Sequence, residues 1–237
     1  MNILAIESSS NYGSIALLNN SNIIFERFFS AKEFKTEKLT TYLKDILKQL
    51  DITINHIDYF AVSLGPGSYT ALRIGLTTVR TISQVTNKPL ICISTLETIA
   101  AQALPLNVAL IVVTKARQDI LNIALFGLDI DTIIPLTGDF IINKRTLIQN
   151  LSKIKGIIYL SGDLSNEVFN EAKDINKHTI IRVIPELFHL PKASTLGYLA
   201  YKKILNNDIN NSFELKINYA FQPHVIISDK NDPNKKS

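Results

Sequence analysis

The stretch SLGPGSYTALRIGL, residues 63–76, joins an apolar strand to a helix through a Gly-Pro-Gly turn. Gly65 and Gly67 permit positive φ angles and close backbone approach, while Pro66 stiffens the turn. The helix that follows points free N–H groups and the positive end of its dipole at the loop, which can receive an anion. The stretch therefore predicts a strand, loop and helix unit whose loop is either a ligand loop or a capped turn.

The established phosphate-binding patterns do not fit this loop. A P-loop requires Gly-Lys-Ser/Thr and the stretch contains no lysine, and a dinucleotide motif requires a third glycine where Thr70 stands. Ser68 and Thr70 are placed to cap the helix. Arg73, one turn into the helix, is placed either to bind a carboxylate or phosphate or to be solvated. From the residues alone, both interpretations of the loop stay open.

The flanking segments predict an α/β fold. Three β-like runs, ILAIES, GSIALL and NIIFERFF, open the chain as a meander. An amphipathic helix is expected to follow from Thr36, because apolar residues recur between Leu39 and Leu50 with helical spacing. A strand over 59–64, a helix over 68–86, a strand over 90–93 and a helix over 95–104 then alternate. Their strands are expected to be parallel, with right-handed crossovers.

The pattern begins afresh after Pro105, which predicts two lobes. The first lobe is expected to span 1–104 and the second 105–192, with a last helix over 193–206 as a candidate to pack back on the first lobe. The tail over 228–237 is polar and contains proline, so it is predicted to be disordered.

Composition points to a globular protein with a sizeable core. The chain has 237 residues, 46% of them hydrophobic, and a formal net charge of +4 without a long basic run that would indicate a nucleic-acid arm. No apolar run approaches the roughly 20 residues that cross a bilayer. The N-terminus lacks the pattern of a signal peptide, so a cytoplasmic location is expected.

The run over 63–100 resembles the signature of the bacterial TsaB family, also called YeaZ. The family pattern GPGSFTGLRIG is matched at Gly65, Pro66, Gly67, Ser68, Thr70, Leu72, Arg73, Ile74 and Gly75, with Tyr69 for Phe and Ala71 for Gly. A serine-leucine-glutamate motif is matched at Ser94, Leu96 and Glu97, and the opening LAIESSSNYGSIALL is also similar. One departure is Lys115, which stands where the family usually has Asp.

The resemblance implies a fold and a function. The fold would be the two-lobed actin-like ATPase fold (ASKHA, RNase H-like), an α/β architecture of mixed sheets flanked by helices. The function would be that of a non-catalytic scaffold or activator subunit. Its complex transfers the threonylcarbamoyl group from threonylcarbamoyl-adenylate to the adenosine beside the tRNA anticodon.

The resemblance also implies partners. These are TsaD, the catalytic paralogue; TsaE, a small ATPase; and tRNA, which is bound through the complex. A homodimer of the isolated chain is left open. No cofactor is implied for this chain, while weak ATP or ADP binding and any need for Mg²⁺ are left open.

Three sets of candidate site residues follow. A remnant nucleotide site, or an ordinary polar hairpin turn, is expected at Glu7, Ser8, Ser9 and Ser10. The loop that shapes a cleft comprises Gly65, Pro66, Gly67, Ser68, Tyr69, Thr70 and Arg73. A partner interface is expected at Thr36, Leu39, Leu43, Ala71, Gly75, Thr78 and Ile82.

The interface expectation rests on the helix over 68–86. Along one side of it recur Ala71, Gly75, Thr78 and Ile82, and the small residues of this row let another helix approach closely. The opposite apolar row of Leu72, Leu76 and Val79 can face the sheet. The alternative is that both sides are used inside one monomer.

Two other functions are alternatives to the scaffold role. The catalytic paralogue carries a His-x-x-x-His pair that can share a metal, whereas the four histidines of this chain include no two that are four apart, so no metal site is predicted. The alternative from another class is an independent actin-like ATP-dependent phosphotransferase, such as a small kinase. That activity would require a general-base carboxylate and a phosphate loop in each lobe.

Overall fold

A computed structural model describes residues 1–30, 36–174 and 178–208. Two β-sheets with helices on their faces form its framework. The predicted disordered tail, 228–237, lies outside the described residues. No helix within the described ranges is long and apolar enough to span a membrane.

The first sheet has five strands in the order β3-β2-β1-β4-β5. They are β1 (Asn2–Glu7), β2 (Tyr12–Asn19), β3 (Asn22–Ser30), β4 (Tyr59–Ser63) and β5 (Leu90–Ile93). The first three strands pair antiparallel, and β1, β4 and β5 pair parallel. The predicted meander and the predicted parallel strands are both confirmed.

Helices cover both faces of the first sheet. On one face lie α1 (Thr36–Gln49) and α2 (Tyr69–Thr86), which contact each other and bury a cluster that includes Leu39, Ile46 and Phe60. On the other face lies α6 (Ala193–Leu205), whose first N–H, on Ala193, donates to Ser14 Oγ at 2.8 Å. The last described helix therefore packs on strands from the beginning of the chain.

In the described residues the second sheet has six strands, five along its main path and β9, which pairs with β7 beside that path. They are β6 (Val108–Arg117), β7 (Ile120–Asp129), β8 (Thr132–Pro135), β9 (Phe140–Asn143), β10 (Gly156–Ser161) and β11 (Thr179–Val183). The main path runs β11-β10-β6-β7-β8, with β6, β10 and β11 parallel. The sequence did not predict the short strands β8 and β9.

Helices also cover both faces of the second sheet. One face packs against α4 (Lys144–Leu151) and α5 (Ser165–Ala172), and the other against α3 (Thr95–Ala101). Although α3 precedes the expected boundary at 104, its Leu96 and Ile99 share a buried cluster with Val112 and Phe126 of the second sheet. It also contacts α6, so α3 lies between the two sheets.

Candidate functional site

A cleft of about 380 Å³ opens where strands of both sheets end. The connection after β1, the Gly-Pro-Gly loop after β4 and the start of α3 after β5 line one side. The end of β6, the turn after β10 and residues 189–191 line the other. Since β1, β4 and β5 are parallel, as are β6 and β10, their carboxyl ends meet at this edge, where ligands of α/β proteins commonly bind.

The Gly-Pro-Gly loop is attached to the rest of the chain through backbone hydrogen bonds. Gly65 has a φ of 96°, and its carbonyl oxygen accepts from Thr95 N at 2.8 Å. Ser68 N donates to Ser9 O at 2.7 Å, so this amide is not available to an anion. Gly67 packs so closely on the Ser9 backbone that a Cβ at position 67 would collide with the carbonyl oxygen. The loop therefore joins the first two strands to α2 by direct contact.

The predicted loop residues do not all reach the cleft. Three of them line it: Pro66, Gly67 and Ser68. Ser68 occupies the N-cap of α2 but makes no side-chain capping hydrogen bond, contrary to the expected cap. Arg73 donates from Nη1 to Tyr69 Oη at 3.0 Å and lies over that ring, 5.3 Å from its centroid. Gly65, Tyr69, Thr70 and Arg73 are not among the residues that line the cleft.

The residues after β1 form a compact hydrogen-bonded turn. Glu7 is fully buried, and its Oε1 accepts from Ser9 N at 2.6 Å and from Ser9 Oγ at 2.5 Å. Ser10 Oγ donates to Tyr12 O at 2.7 Å. Ser9 and Ser10 line the cleft, whereas Glu7 and Ser8 lie beneath it. Glu7 Oε2 and Ser8 Oγ have no hydrogen-bond partner among the described residues.

Burial raises the pKa of Glu7 above its ordinary value, and hydrogen bonds from Ser9 oppose the shift only in part. The folded state therefore binds the Glu7 proton more tightly than the unfolded chain does. Its contribution to the free energy of unfolding is present below the ordinary carboxyl pKa and is lost as the pH rises through the raised value.

Replacing Glu7 by Gln is expected to reduce this loss, because the amide stays neutral at every pH. The stability of Glu7→Gln relative to wild type should increase between pH 4 and pH 8, by at most about 1.4 kcal/mol per pH unit. Urea unfolding at several pH values measures it. The pKa values of Asp163 and Glu97 are also raised. Both residues are present in wild type and in the variant, so their titration cancels in the comparison. A pH-independent difference between the two proteins would contradict the assignment.

The second sheet contributes one lysine and one aspartate to the cleft, and both residues are exposed. Lys115 lies at the end of β6, and its backbone N donates to Asp163 Oδ1 at 3.0 Å. Partial desolvation in the cleft raises the pKa of Asp163, and backbone N–H donors, first among them that of Lys115, oppose the shift. His189 is buried, with Nε2 donating to Ile184 O at 2.5 Å, and Ser165 Oγ lies 3.4 Å from the same nitrogen.

The serine-leucine-glutamate motif caps and anchors α3. Ser94 Oγ accepts from the backbone N of Leu96 and of Glu97, and donates to Asp139 Oδ2 at 2.7 Å. Glu97 Oε1 lies 3.8 Å from Nζ of Lys203 on α6. Burial raises the pKa of Glu97, and Lys203 opposes this. The motif thus fixes α3 between α6 and the second sheet, and does not present a reactive group to the cleft.

Three of the expected interface residues of α2 lie in the interior of the chain. Ala71, Gly75 and Thr78 are all buried within the chain. A Cβ at Gly75 would lie 2.5 Å from Ser8 Oγ, so this side of the helix faces the turn after β1. The first three residues of the expected interface row are therefore used inside the monomer, whereas Ile82, further along the same row, is only partly buried.

The outer surface of the helix pair is instead a groove of about 460 Å³ between α1 and α2. Its lining is almost wholly apolar and includes Leu43, Leu47, Ile82 and Val85; the side chain of Val85 is 82% exposed. The remaining lining residues are Thr40, Lys44, Ile54, Thr81 and Thr86. We call this surface the helix-pair groove.

Of the predicted interface residues, Leu43 and Ile82 line the helix-pair groove. Leu39 is fully buried in the core, and Thr36 begins α1. The sequence had a signal for Val85, since this valine follows Ile82 by three residues and Thr78 by seven and so continues the expected interface row of α2. No signal indicated Ile54, which comes from the short turn before β4.

The sequence analysis did not identify several residues that line the cleft. Thr95, Thr114, Asp163 and His189 come from segments far apart in the chain. For the first three, the available signal is position at the carboxyl end of a parallel strand. Thr95 Oγ1 is buried without a hydrogen-bond partner among the described residues.

Comparison with known proteins gives sequence relatives. The model of the family described as TsaD: tRNA N6-adenosine threonylcarbamoyltransferase matches residues 30–221. The tRNA threonylcarbamoyladenosine biosynthesis protein TsaB of Bacillus subtilis (strain 168) is 34% identical over 101 residues, 43% of this chain and 44% of that protein. TsaB of Buchnera aphidicola subsp. Acyrthosiphon pisum is 26% identical over 226 residues, 92% of this chain and 97% of that protein. The match thus spans under half of the first relative and nearly all of the second.

Solved structures share the fold. YeaZ from Pseudomonas aeruginosa has a TM-score of 0.74 at 17% identity, over 92% of this chain and 99% of that chain. A ROK family protein from Streptococcus pneumoniae TIGR4, in complex with sucrose, has a TM-score of 0.53 at 14% identity, over 86% and 100%. At these identities the likeness concerns the fold alone. It confirms the predicted two-lobed actin-like ATPase fold with mixed sheets flanked by helices.

Proposed function

We propose that this chain, which belongs to the tRNA N6-adenosine threonylcarbamoyltransferase family and within it to the TsaB (YeaZ) group, is a non-catalytic scaffold or activator subunit. In this proposal the chain binds the TsaD-type catalytic paralogue and supports its active conformation. The paralogue transfers the threonylcarbamoyl group from threonylcarbamoyl-adenylate to the adenosine beside the tRNA anticodon.

The helix-pair groove is the observation that carries the docking part of the proposal. Its apolar lining lies on the outside of the chain, and the 82% exposed side chain of Val85 has little contact with the rest of the monomer. A concave apolar strip between two helices fits the apolar side of a third helix. Burying it would remove apolar surface from water at about 25 cal/mol per Å².

The scaffold role is supported by how the chain matches its relatives. The TsaB protein of Buchnera aphidicola is matched over 97% of its length, so the likeness extends through both sheets and all described helices. TsaB proteins are named for threonylcarbamoyladenosine biosynthesis. The transferase step is therefore assigned to the partner and not to the cleft of this chain.

The cleft geometry fits a supporting role. Ser68 N and Glu7 Oε1, which could otherwise face a phosphate or an ion, are engaged within the chain. The Gly-Pro-Gly loop links β1, β4 and α3 to the start of α2, one of the two groove helices. In this proposal, the loop is the physical connection between the groove helices and the cleft. In this proposal, a TsaE-type ATPase and tRNA join through the complex in the cytoplasm.

Reconstitution tests the proposal. The chain and the TsaD-type protein of its organism are purified separately and together, and threonylcarbamoyl transfer to tRNA is assayed in the presence of a source of threonylcarbamoyl-adenylate. We expect a stable complex by size-exclusion chromatography and transfer only when both proteins are present. A chain that ignores this partner and hydrolyses ATP alone would overturn the scaffold role and favour the kinase-like alternative.

A further inference from the structure

Two residues of opposite charge line the cleft from the second sheet. They are Lys115, at the end of β6, and Asp163, in the turn after β10, and both are exposed. The backbone N of Lys115 donates to Asp163 Oδ1 at 3.0 Å, which holds the two residues side by side. The Lys115 ammonium forms no ion pair with an acidic side chain in residues 1–30, 36–174 or 178–208. An unpaired ammonium and a carboxylate therefore lie next to each other at one wall of the cleft.

Thr95, at the start of α3, brings an unsatisfied hydroxyl to the opposite wall. The residue lines the cleft and is 3% exposed, and its Oγ1 has no hydrogen-bond partner within the described part of the chain. Its backbone N–H is already used, since it donates to Gly65 O. A buried polar group without a partner costs about 1–3 kcal/mol. The hydroxyl is therefore the group of Thr95 that a molecule bound in the cleft can satisfy.

The size and the apolar part of the lining fit a small molecule. The volume of about 380 Å³ is at the lower end of the range for small-molecule sites, which is about 300–1,000 Å³. Pro66, Ile99, Leu190 and Pro191 contribute apolar surface between the polar groups. The lining thus suits a molecule that has polar ends and a short aliphatic part.

The two charges discriminate between classes of ligand. A phosphate or another anion would lie beside the Asp163 carboxylate, and Ser68 N, which could otherwise bind it, already donates to Ser9 O. A cation would lie beside Lys115. A molecule with both a carboxylate and an ammonium group satisfies both side chains at once, because opposite charges attract and like charges repel. Partial desolvation raises the pKa of Asp163, so a neighbouring ammonium group would stabilise its charged form.

We infer that the cleft binds a small α-amino acid as its zwitterion. The carboxylate of the amino acid would pair with Lys115 and its ammonium group with Asp163, while a polar side chain would hydrogen-bond the Thr95 hydroxyl across the cleft. The site is particular to this chain, because the TsaB pattern usually has Asp where Lys115 stands, and two acids would repel the carboxylate. The inference does not rest on the proposed function, since neither the catalytic paralogue nor the helix-pair groove takes part in it.

Titration of the full chain with L-serine tests the inference, measured by isothermal titration calorimetry or by NMR. Two exposed ion pairs contribute about 1 kcal/mol or less each, and one hydrogen bond contributes about as much, so we expect a Kd of roughly 1–10 mM. Acetate and methylamine each carry only one of the two charges. These two compounds and ATP should bind at least about 10-fold more weakly than L-serine.

Variants of the three residues locate the binding site. Lys115→Asp should weaken L-serine binding by about 10-fold or more, because attraction of the carboxylate becomes repulsion, and Asp163→Asn should weaken it by about fivefold. Thr95→Val should weaken binding of L-serine more than that of L-alanine. It should not lower the melting temperature, because Oγ1 has no partner among the described residues.

Lys153→Asp is the matched control. It makes the same change of charge at an exposed lysine after α4 that does not line the cleft, and it should bind L-serine like wild type. Saturable binding that Lys115→Asp weakens and Lys153→Asp retains supports the inference.

Three results would overturn the inference. They are no binding of L-serine up to about 50 mM, binding that Lys115→Asp leaves unchanged, and a preference for ATP or acetate over L-serine. The last of these would identify the cleft as an anion site. None of these measurements involves the TsaD-type protein, so the inference can fail while the scaffold role stands, and the reverse.

Discussion

Replacing Val85 by aspartate is expected to weaken binding of the TsaD-type protein at least 100-fold and to abolish threonylcarbamoyl transfer by the mixture. Val85 lies in the lining of the helix-pair groove with most of its side chain exposed, so a partner helix would bury it. An uncompensated carboxylate buried in that interface costs roughly 3–5 kcal/mol, and each 1.4 kcal/mol is a factor of ten in Kd. Isothermal titration calorimetry or biolayer interferometry measures the affinity.

The matched control for this change is Gln84→Asp. Gln84 is exposed on the same turn of α2 but does not line the groove. Both variants place a carboxylate near the C-terminus of α2, so any penalty from the helix dipole is shared. Gln84→Asp should bind the partner within about threefold of wild type, and both proteins should retain the wild-type melting temperature within roughly 2 °C. Equal loss of binding in the two variants would indicate an effect of charge and not of groove burial.

Replacing Gly67 by alanine is expected to destabilise the chain by about 3 kcal/mol. The new Cβ would collide with the carbonyl oxygen of Ser9, a backbone atom that cannot rotate away as a side chain can. The loop would have to move away from β1, and the hydrogen bond from Ser68 N to Ser9 O would open. For a chain of this size, the loss corresponds to a fall in melting temperature of roughly 6–12 °C, measurable by calorimetry.

Gly138→Ala is the control for the loop variant. No atom lies within 4 Å of a Cβ at position 138, and the residue is not among those with positive φ. It should therefore melt within roughly 2 °C of wild type. If Gly67→Ala also has the wild-type melting temperature, the loop can move away from β1 without lowering the free energy of unfolding, and the prediction is wrong.

Periodicity made the first half of the chain predictable. The meander of β1 to β3, the amphipathic α1 and the β4-loop-α2 unit each have a pattern that repeats over enough residues to identify the element. The strands β8 and β9 have four residues each, which is too short for a pattern to be distinguished from that of a loop. Their pairing with β7 is decided by contacts across the sheet and not by local sequence.

The orientation of α2 was not predictable, because its small and apolar residues cover more than half of the circumference. Ala71 and Gly75 are compatible with an outer helix–helix contact and equally with close packing inside the chain. What decides between them is Ser8, which approaches the helix from the turn after β1. The cleft was likewise only partly predictable, since Asp163 and His189 reach it from the second half of the chain.

The packing of α6 on the first sheet has a consequence for synthesis on the ribosome. One face of β1 and β2, including Ile3, Ala5 and Leu18, is buried against α6, which ends at Leu205. When β5 has been synthesised, about 110 residues remain to be translated before α6 is complete, which takes roughly 5–20 s at about 5–20 residues per second. Throughout that interval this face of the nascent sheet lacks its covering helix, so its apolar side chains stay exposed to water until α6 is complete.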